Sequence, residues 1–210
     1  MASKTSSVKT SGAKKSAARR PSRREQPLGR QAWLEAARRA LIEEGTAGVE
    51  VNKLAKRLGV SRGGFYWFFK SRQQLLERLI AYWAETSHEL FERLPKSSAG
   101  DGLEEFRQLN RLWVDETQYD PKWDGAVRDW ARTSAEVRAV VEAVDEKRIG
   151  VIEKIFVHLG FTGMDAHIRA RVTYYHQVGY YALGVRESRK RRLELLPYYI
   201  RALTGGREGR

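Results

Sequence analysis

Cysteine is absent from the 210-residue chain, which excludes disulfides and thiolate metal sites and leaves nothing pointing to an oxidising compartment. Long apolar runs are missing too. The longest strongly apolar one, Phe65-Tyr66-Trp67-Phe68-Phe69, falls far short of the ~18 residues that a membrane-spanning helix needs, so no membrane partner is expected. No apolar stretch follows the basic N-terminus as it would in a secretory signal, and the expected location is the cytoplasm. There is no internal repeat, and no run of β-branched residues with period two, which predicts an all-α architecture. A phosphate-binding Gly-Lys loop, a nucleophile elbow and a zinc His pair are lacking as well, so no catalytic residue, metal ligand or cofactor is assigned. Glu85-x-x-His88 matches half of the carboxylate and His pairing of di-iron bundles. The other half is missing, since Ile155, Met164 and Thr173 stand three residues before His158, His167 and His176. A helical-bundle enzyme is therefore the weaker alternative.

What is present in excess is positive charge, a net +13. It is concentrated: residues 1–27 hold eight Lys/Arg against one Glu. This arm has a single large aliphatic residue, Val8, and cannot bury enough apolar surface to offset its ordering entropy, so it is expected to be a disordered basic arm. Such charge attracts a polyanion and would add phosphate contacts on DNA. A sequence-independent nucleic-acid binder driven by this arm is the second alternative.

From Arg30 the pattern becomes helical, with Trp33, Leu34, Ala37, Leu41 and Ile42 on one stripe and Glu35, Arg38, Arg39 and Glu43 on the other. Gly45 supplies the stop. A shorter helix carries Leu54, Ala55 and Leu58 and ends at Gly59. A third begins at Val60-Ser61, and Ser71 with Gln74 forms a capping box that opens a fourth. The stretch 95–102, rich in Gly, Ser and Pro, is the clearest linker. Five further helices are expected at about 103–117, 122–133, 135–160, 164–188 and 190–203, giving about nine in all. The predicted organisation is the arm 1–27, a helix-turn-helix domain with its connecting helix at 28–94, a larger domain at 95–204 and a flexible tail at 205–210.

The informative stretch is 30–76. Two short helices meet through Leu58-Gly59-Val60-Ser61, where Gly59 suits a left-handed turn and Ser61 suits a cap. Leu54, Ala55, Leu58 and Val60 are the inward positions. Arg62, Gly63, Gly64, Tyr66 and Trp67 are left outside, at the end that would enter a major groove. Arg62 suits a guanine edge or a phosphate, and Tyr66 a phosphate or a thymine methyl. Gly63 and Gly64 remove bulk so that backbone amides approach DNA closely, at a helix-propensity cost of about 1 kcal/mol each. Arg72 adds charge at the start of the next helix.

The run Leu54-Ala55-Lys56-Arg57-Leu58-Gly59-Val60-Ser61-Arg62-Gly63-Gly64-Phe65-Tyr66-Trp67-Phe68-Phe69-Lys70-Ser71 resembles the DNA-binding signature of the TetR family, and Ala-Leu-Ile-Glu-Glu-Gly at 40–45 resembles the end of that family's first helix. The resemblance implies a homodimeric helix-turn-helix regulator that binds a palindromic operator on double-stranded DNA and commonly represses until a small-molecule effector binds its C-terminal domain. By position it adds Asn52 to the DNA-facing set. Three departures stand out: Val49-Glu50-Val51 where a Thr cap is usual, Phe68 where His is common, and Arg72 where Lys is usual.

In the C-terminal part aromatic residues are frequent, and apolar effector pockets are lined by such side chains. Trp113, Trp130, Tyr174 and Tyr175 are the expected pocket residues, although core packing explains aromatic residues equally well. Val178, Gly179, Ala182, Leu183 and Val185 are small or apolar at helical spacing, and the stretch resembles the dimer-forming helices of TetR relatives.

Overall fold

The computed structural model describes residues 29–94 and 101–206, with only the backbone of His88 included. The arm 1–27, most of the 95–102 linker and the last four residues of the tail lie outside the described residues. So does the side chain half of the Glu85-x-x-His88 pattern.

The chain is all-α, with no strand among the described residues. Helix α1 (Arg30–Glu44) buries Trp33, Leu34, Ala37 and Leu41, the stripe expected from the periodicity. It stops where Gly45 takes φ 67° and passes through a 3-10 turn, Gly45–Gly48, into α2 (Val51–Leu58). A 3-10 segment, Arg62–Trp67, follows, and then α3 (Arg72–Glu92). The second half contains α4 (Gly102–Asp115), α5 (Pro121–Ala131), α6 (Ala135–His158), α7 (Gly163–Ala182) and α8 (Arg189–Thr204). Asp101, Asp120, Ser134 and Ser188 cap α4, α5, α6 and α8 through their side-chain oxygens, satisfying amides that the first turn leaves without partners.

Two of the helices that end short of their expected bounds do so beside a left-handed residue. The segment expected at 103–117 ends at Asp115, because Glu116 turns left-handed at φ 52°. The one expected at 164–188 ends at Ala182, because Gly184 takes φ 64°. Pro197 lies inside α8 on its exposed side and does not end it.

Two apolar clusters hold these helices together. One joins Trp33, Leu41, Leu54, Phe65, Phe69, Leu79 and Trp83 to Trp123, Val127, Val137, Val141 and Val144. The other gathers Phe91, Phe106, Trp113, Ile152, Phe156, Phe161 and Tyr174. The N-terminal helices therefore pack on α5 and on the start of α6, and the apolar core crosses the division in the chain at 95–102. Burial of a single such Leu or Phe side chain stabilises by about 1.5–3 kcal/mol. Helix α6 enters the first cluster with Val137 and leaves the second with Phe156. Its C-terminal end lies against Gly102, where an added Cβ would stand 2.6 Å from the backbone of His158 and Leu159.

Candidate nucleic-acid interface and ligand pocket

The turn between α2 and the 3-10 segment is built by Gly59. At φ 69°, left-handed, it lets the amide of Val60 reach back 3.0 Å to Ala55 O while its own amide meets Lys56 O at 3.2 Å. This pattern closes the free carbonyls of α2. Ser61 has the extended backbone of a cap, but its side chain accepts no cap bond. The bond instead runs from Gly64 N to the Ser61 carbonyl, 3.1 Å away. Six residues with two adjacent glycines form the tighter i→i+3 helix rather than an α-turn, as expected of a short piece with poor helix propensity.

Phe65 fixes the segment. It is fully buried, edge-on to Trp33 at 5.3 Å and stacked on Phe69 at 5.4 Å. With Phe65 inward, its neighbours turn outward: Tyr66 is 50% exposed and Trp67 is 87% exposed. Arg62 donates to Tyr66 Oη at 2.9 Å with its guanidinium 5.7 Å from the ring centre, so the two form one polar tip. A Cβ on Gly63 or Gly64 would meet only ordinary contacts, at 3.6 Å and 3.9 Å. Nothing inside the protein demands glycine there.

Asn52 is exposed at the start of α2, whose cap residue, Glu50, makes no side-chain cap bond. Arg72 is exposed, but its Nε donates to Val49 O at 2.7 Å and its Nη2 to Thr46 O at 2.6 Å. It therefore ties α3 to the loop that leads into α2, a use of its donors that the sequence did not suggest. The capping box at Ser71 forms with one shift: Ser71 Oγ accepts from Gln74 N at 3.1 Å, while Gln74 Oε1 accepts from the amide of Lys70 rather than of Ser71, at 2.7 Å. Of the other cations on this unit, Lys53 and Arg57 are matched by Glu43 and Glu44. Lys56, Arg62 and Lys70 have no carboxylate partner among the described residues and are exposed. Nothing in the sequence sets Lys56 and Lys70 apart from Lys53 and Arg57, because the difference lies in which of them finds a carboxylate.

The stretch 34–79 matches the bacterial regulatory proteins of the tetR family. The HTH-type transcriptional regulator TtgR of Pseudomonas putida is 31% identical over 68 residues, 32% of this chain and 30% of TtgR. The chain thus aligns with 30% of the length of the curated relatives it matches. Beyond the matched segment the likeness is one of fold. GusR of Salmonella enterica superposes with a TM-score of 0.65 at 18% identity, covering 84% of this chain and 94% of GusR. AibR, solved with isovaleryl coenzyme A and operator DNA, gives 0.60 at 19% identity over 83% and 97%.

The four aromatic residues expected around an effector do not converge. Trp113 lines a small cavity of about 40 Å³ between α4, α7 and α8, together with Asn110, Thr173 and Gln177. Trp130 borders a groove between α5 and the end of α1. Tyr174 is buried, whereas Tyr175 lies on the outer face beneath Arg171.

A different chamber lies where α1, α3, α5 and α6 meet. It measures about 180 Å³ and is lined by Arg38, Tyr82, Trp83, Tyr119, Trp123 and Arg148, among others. Behind it runs a buried ionic network. Arg148, 2% exposed, donates to Asp124 at 2.9 Å, and Arg128 joins Asp124 to Asp145 through a paired contact at 2.7 and 2.9 Å. Tyr174 donates to Asp145 at 2.6 Å. Burial pushes the Asp124 carboxyl upward, but the Arg148 and Arg128 guanidiniums outweigh it and hold the group below the usual carboxylate range. Burial also drives the Tyr119 hydroxyl far above its ordinary value, so it remains a neutral donor. Among the described residues no helix is long and apolar enough to cross a membrane, and no group of three or more His, Asp or Glu is placed to hold a metal ion.

Proposed function

We propose that this chain is a sequence-specific DNA-binding transcriptional regulator of the TetR type, a repressor released by a small-molecule effector. The observation that carries this is the tip at 62–67: a buried Phe65 holds Arg62, Tyr66 and the almost fully exposed Trp67 outward on a helix-turn-helix. Large aromatic side chains are rarely left in water without a partner, and a groove edge suits this one. The DNA-facing set is Asn52, Arg62, Gly63, Gly64, Tyr66, Trp67 and Arg72, with Lys56 and Lys70 added as phosphate contacts. The arm 1–27 adds further phosphate contacts. Residues 28–94 form the reading domain and 95–204 the sensing and pairing domain. The protein works in the cytoplasm, without catalysis or a cofactor.

The partner copy docks on α7. Met164, Ile168, Val172 and Tyr175 recur at helical spacing on its exposed face, and Leu183 extends the stripe. A two-fold pair would set two tips about 34–36 Å apart, the spacing of successive major-groove faces, and would therefore read a palindrome.

Selection of bound fragments from a random DNA pool tests this. The expected outcome is a palindromic consensus that Trp67→Ala and Arg62→Ala lose. Recovery of unrelated fragments with equal affinity would overturn it.

A further inference from the structure

Helices α4 and α8 run antiparallel. Arg192 at the start of α8 donates to the carbonyl of Trp113 and to Glu116 at the end of α4, while Leu103 and Thr204 border the space between the helices at the other end. That space is a groove of about 600 Å³, well inside the range of about 300–1,000 Å³ found for small-molecule sites. Its α8 wall extends from Leu193 to Thr204, about 16 Å at the helical rise, so the groove is an elongated slot.

Two kinds of side chain line it. Leu103, Leu193, Pro197, Tyr198 and Ile200 are apolar over most of their surface, and Tyr198 is left 63% exposed, which makes the wall a place where covering apolar surface is favourable. The charged side chains are all arginines: Arg107 and Arg111 from α4 and Arg201 from α8, with no acidic residue in the lining. Arg107 and Arg111 stand one turn apart, where like charges repel, and share a single carboxylate, Glu104, at 3.9 and 3.6 Å. Arg201 has no carboxylate partner among the described residues, and its guanidinium lies 5.6 Å from the Tyr198 ring centre. Three guanidiniums against one carboxylate leave the slot with an excess of positive charge.

An anion with an apolar body meets both halves of this lining. A guanidinium fork matches a carboxylate with two parallel hydrogen bonds. A small inorganic anion would leave the apolar wall in water, and a neutral hydrocarbon would cover guanidiniums without supplying a counter-charge. A second copy of the chain is a poor occupant, because a two-fold pairing is self-complementary and this patch holds no acid to receive its own arginines. Residues 207–210, which follow Gly206 at the edge of the slot, carry two Arg against one Glu and fit no better.

From these features we infer that the slot binds a single-chain amphipathic carboxylate, its head group held by the arginines of α4 and by Arg201 and its alkyl chain lying along Pro197, Tyr198 and Ile200. The assignment goes beyond the DNA-binding function and does not rest on it. The slot opens on the α4 side of α8, whereas the stripe assigned to the partner copy runs along α7.

Decanoate is a suitable probe; 1-decanol keeps the chain without the charge, decylammonium inverts the charge, and acetate keeps the head without the chain. Calorimetric titration of the full chain, below micelle-forming concentrations, should show saturable decanoate binding with each of the other three at least about tenfold weaker. Arg111→Met with Arg201→Met should weaken decanoate at least about tenfold and leave 1-decanol unchanged. Tyr198→Ala should weaken both. Arg132→Met, the same change of charge on α5 away from the slot, should change nothing. Circular dichroism melts establish that each variant folds.

Equal binding of decanoate and 1-decanol, an equal loss in Arg132→Met, no saturable binding of decanoate, or binding to phosphatidylglycerol vesicles without binding of free decanoate would each overturn the assignment. So would a fall in sedimentation coefficient in Tyr198→Ala, which would make the slot a contact between copies, or a gain of about tenfold on deleting residues 207–210, which would make that segment the occupant. Every titration is read without DNA, so the slot and the regulator function stand or fall separately.

Discussion

The guanidinium of Arg38 lies 4.5 Å over the indole of Trp123 and forms an ion pair with Asp120, binding the middle of α1 to the first turn of α5. A cation over an indole contributes about 0.5–2 kcal/mol, more as water is excluded. Arg38→Met keeps the apolar stem and removes the charge. It should lower the free energy of unfolding by about 1–2 kcal/mol in urea titrations. A variant with unchanged stability would deny the contact that role.

The ionic network makes acid stability predictable. The folded Asp124 carboxyl titrates below its unfolded value of about 3.9. Its contribution is therefore fully present above that pH and is lost as pH falls through the lower, folded value. Urea midpoints measured from pH 7 to pH 2 should drop in the acid limb for the natural chain and more shallowly for Asp124→Asn. At neutral pH that variant should already be weaker by about 3–5 kcal/mol, because Arg148 is left buried with less compensation.

Trp67 should separate stability from recognition. Its side chain is almost wholly in solvent, so Trp67→Ala should shift the unfolding free energy by no more than about 0.5 kcal/mol while costing about 1–3 kcal/mol of DNA affinity. Phe65→Ala should do the reverse first, losing about 3–5 kcal/mol of stability. Thermal melts beside fluorescence-anisotropy binding distinguish the two.

Two glycines in helices should respond oppositely to alanine. At Gly102 the new Cβ would stand 2.6 Å from backbone atoms of His158 and Leu159, which cannot retreat as a side-chain tip would; Gly102→Ala should cost about 1–3 kcal/mol. At Gly125, within α5, nothing lies within 4 Å, and Gly125→Ala should stabilise by up to about 1 kcal/mol through helix propensity. Calorimetric melting of both variants checks the sign.

Deleting residues 1–27 removes eight Lys/Arg. Operator preference should survive, while affinity falls and the dependence of log K on log salt becomes shallower by roughly 0.9 for each phosphate that the arm no longer neutralises. Complete loss of binding would instead favour a binder driven by the arm.

The exposed tip at 62–67 is legible because its signals are local. The α1 stripe from Trp33 to Leu41 follows the helical period, Gly59 takes the left-handed turn its position suggested, and Tyr66 and Trp67 fall outside as the inward register of Leu54, Ala55 and Phe65 requires. What escaped depends on contacts between distant segments. Asp124 and Arg128 lie one turn apart on α5, and Asp145 and Arg148 one turn apart on α6, a spacing that looks like solvated i,i+4 and i,i+3 pairs until the two helices close face to face. Likewise the partners of Arg72 are carbonyls more than twenty residues away, and no residue type announces them. Trp113, Trp130, Tyr174 and Tyr175 were grouped by chemistry, but their helices send them to different neighbours.

Helix α6 has 24 residues without a break and belongs to both apolar clusters. At a rise of about 1.5 Å per residue it is a rod roughly 36 Å long. A lean of only about 5° at the end beside Trp123 would sweep the opposite end through roughly 3 Å on that length, so a small adjustment at one end is magnified by leverage alone, with no link in the chain having to melt.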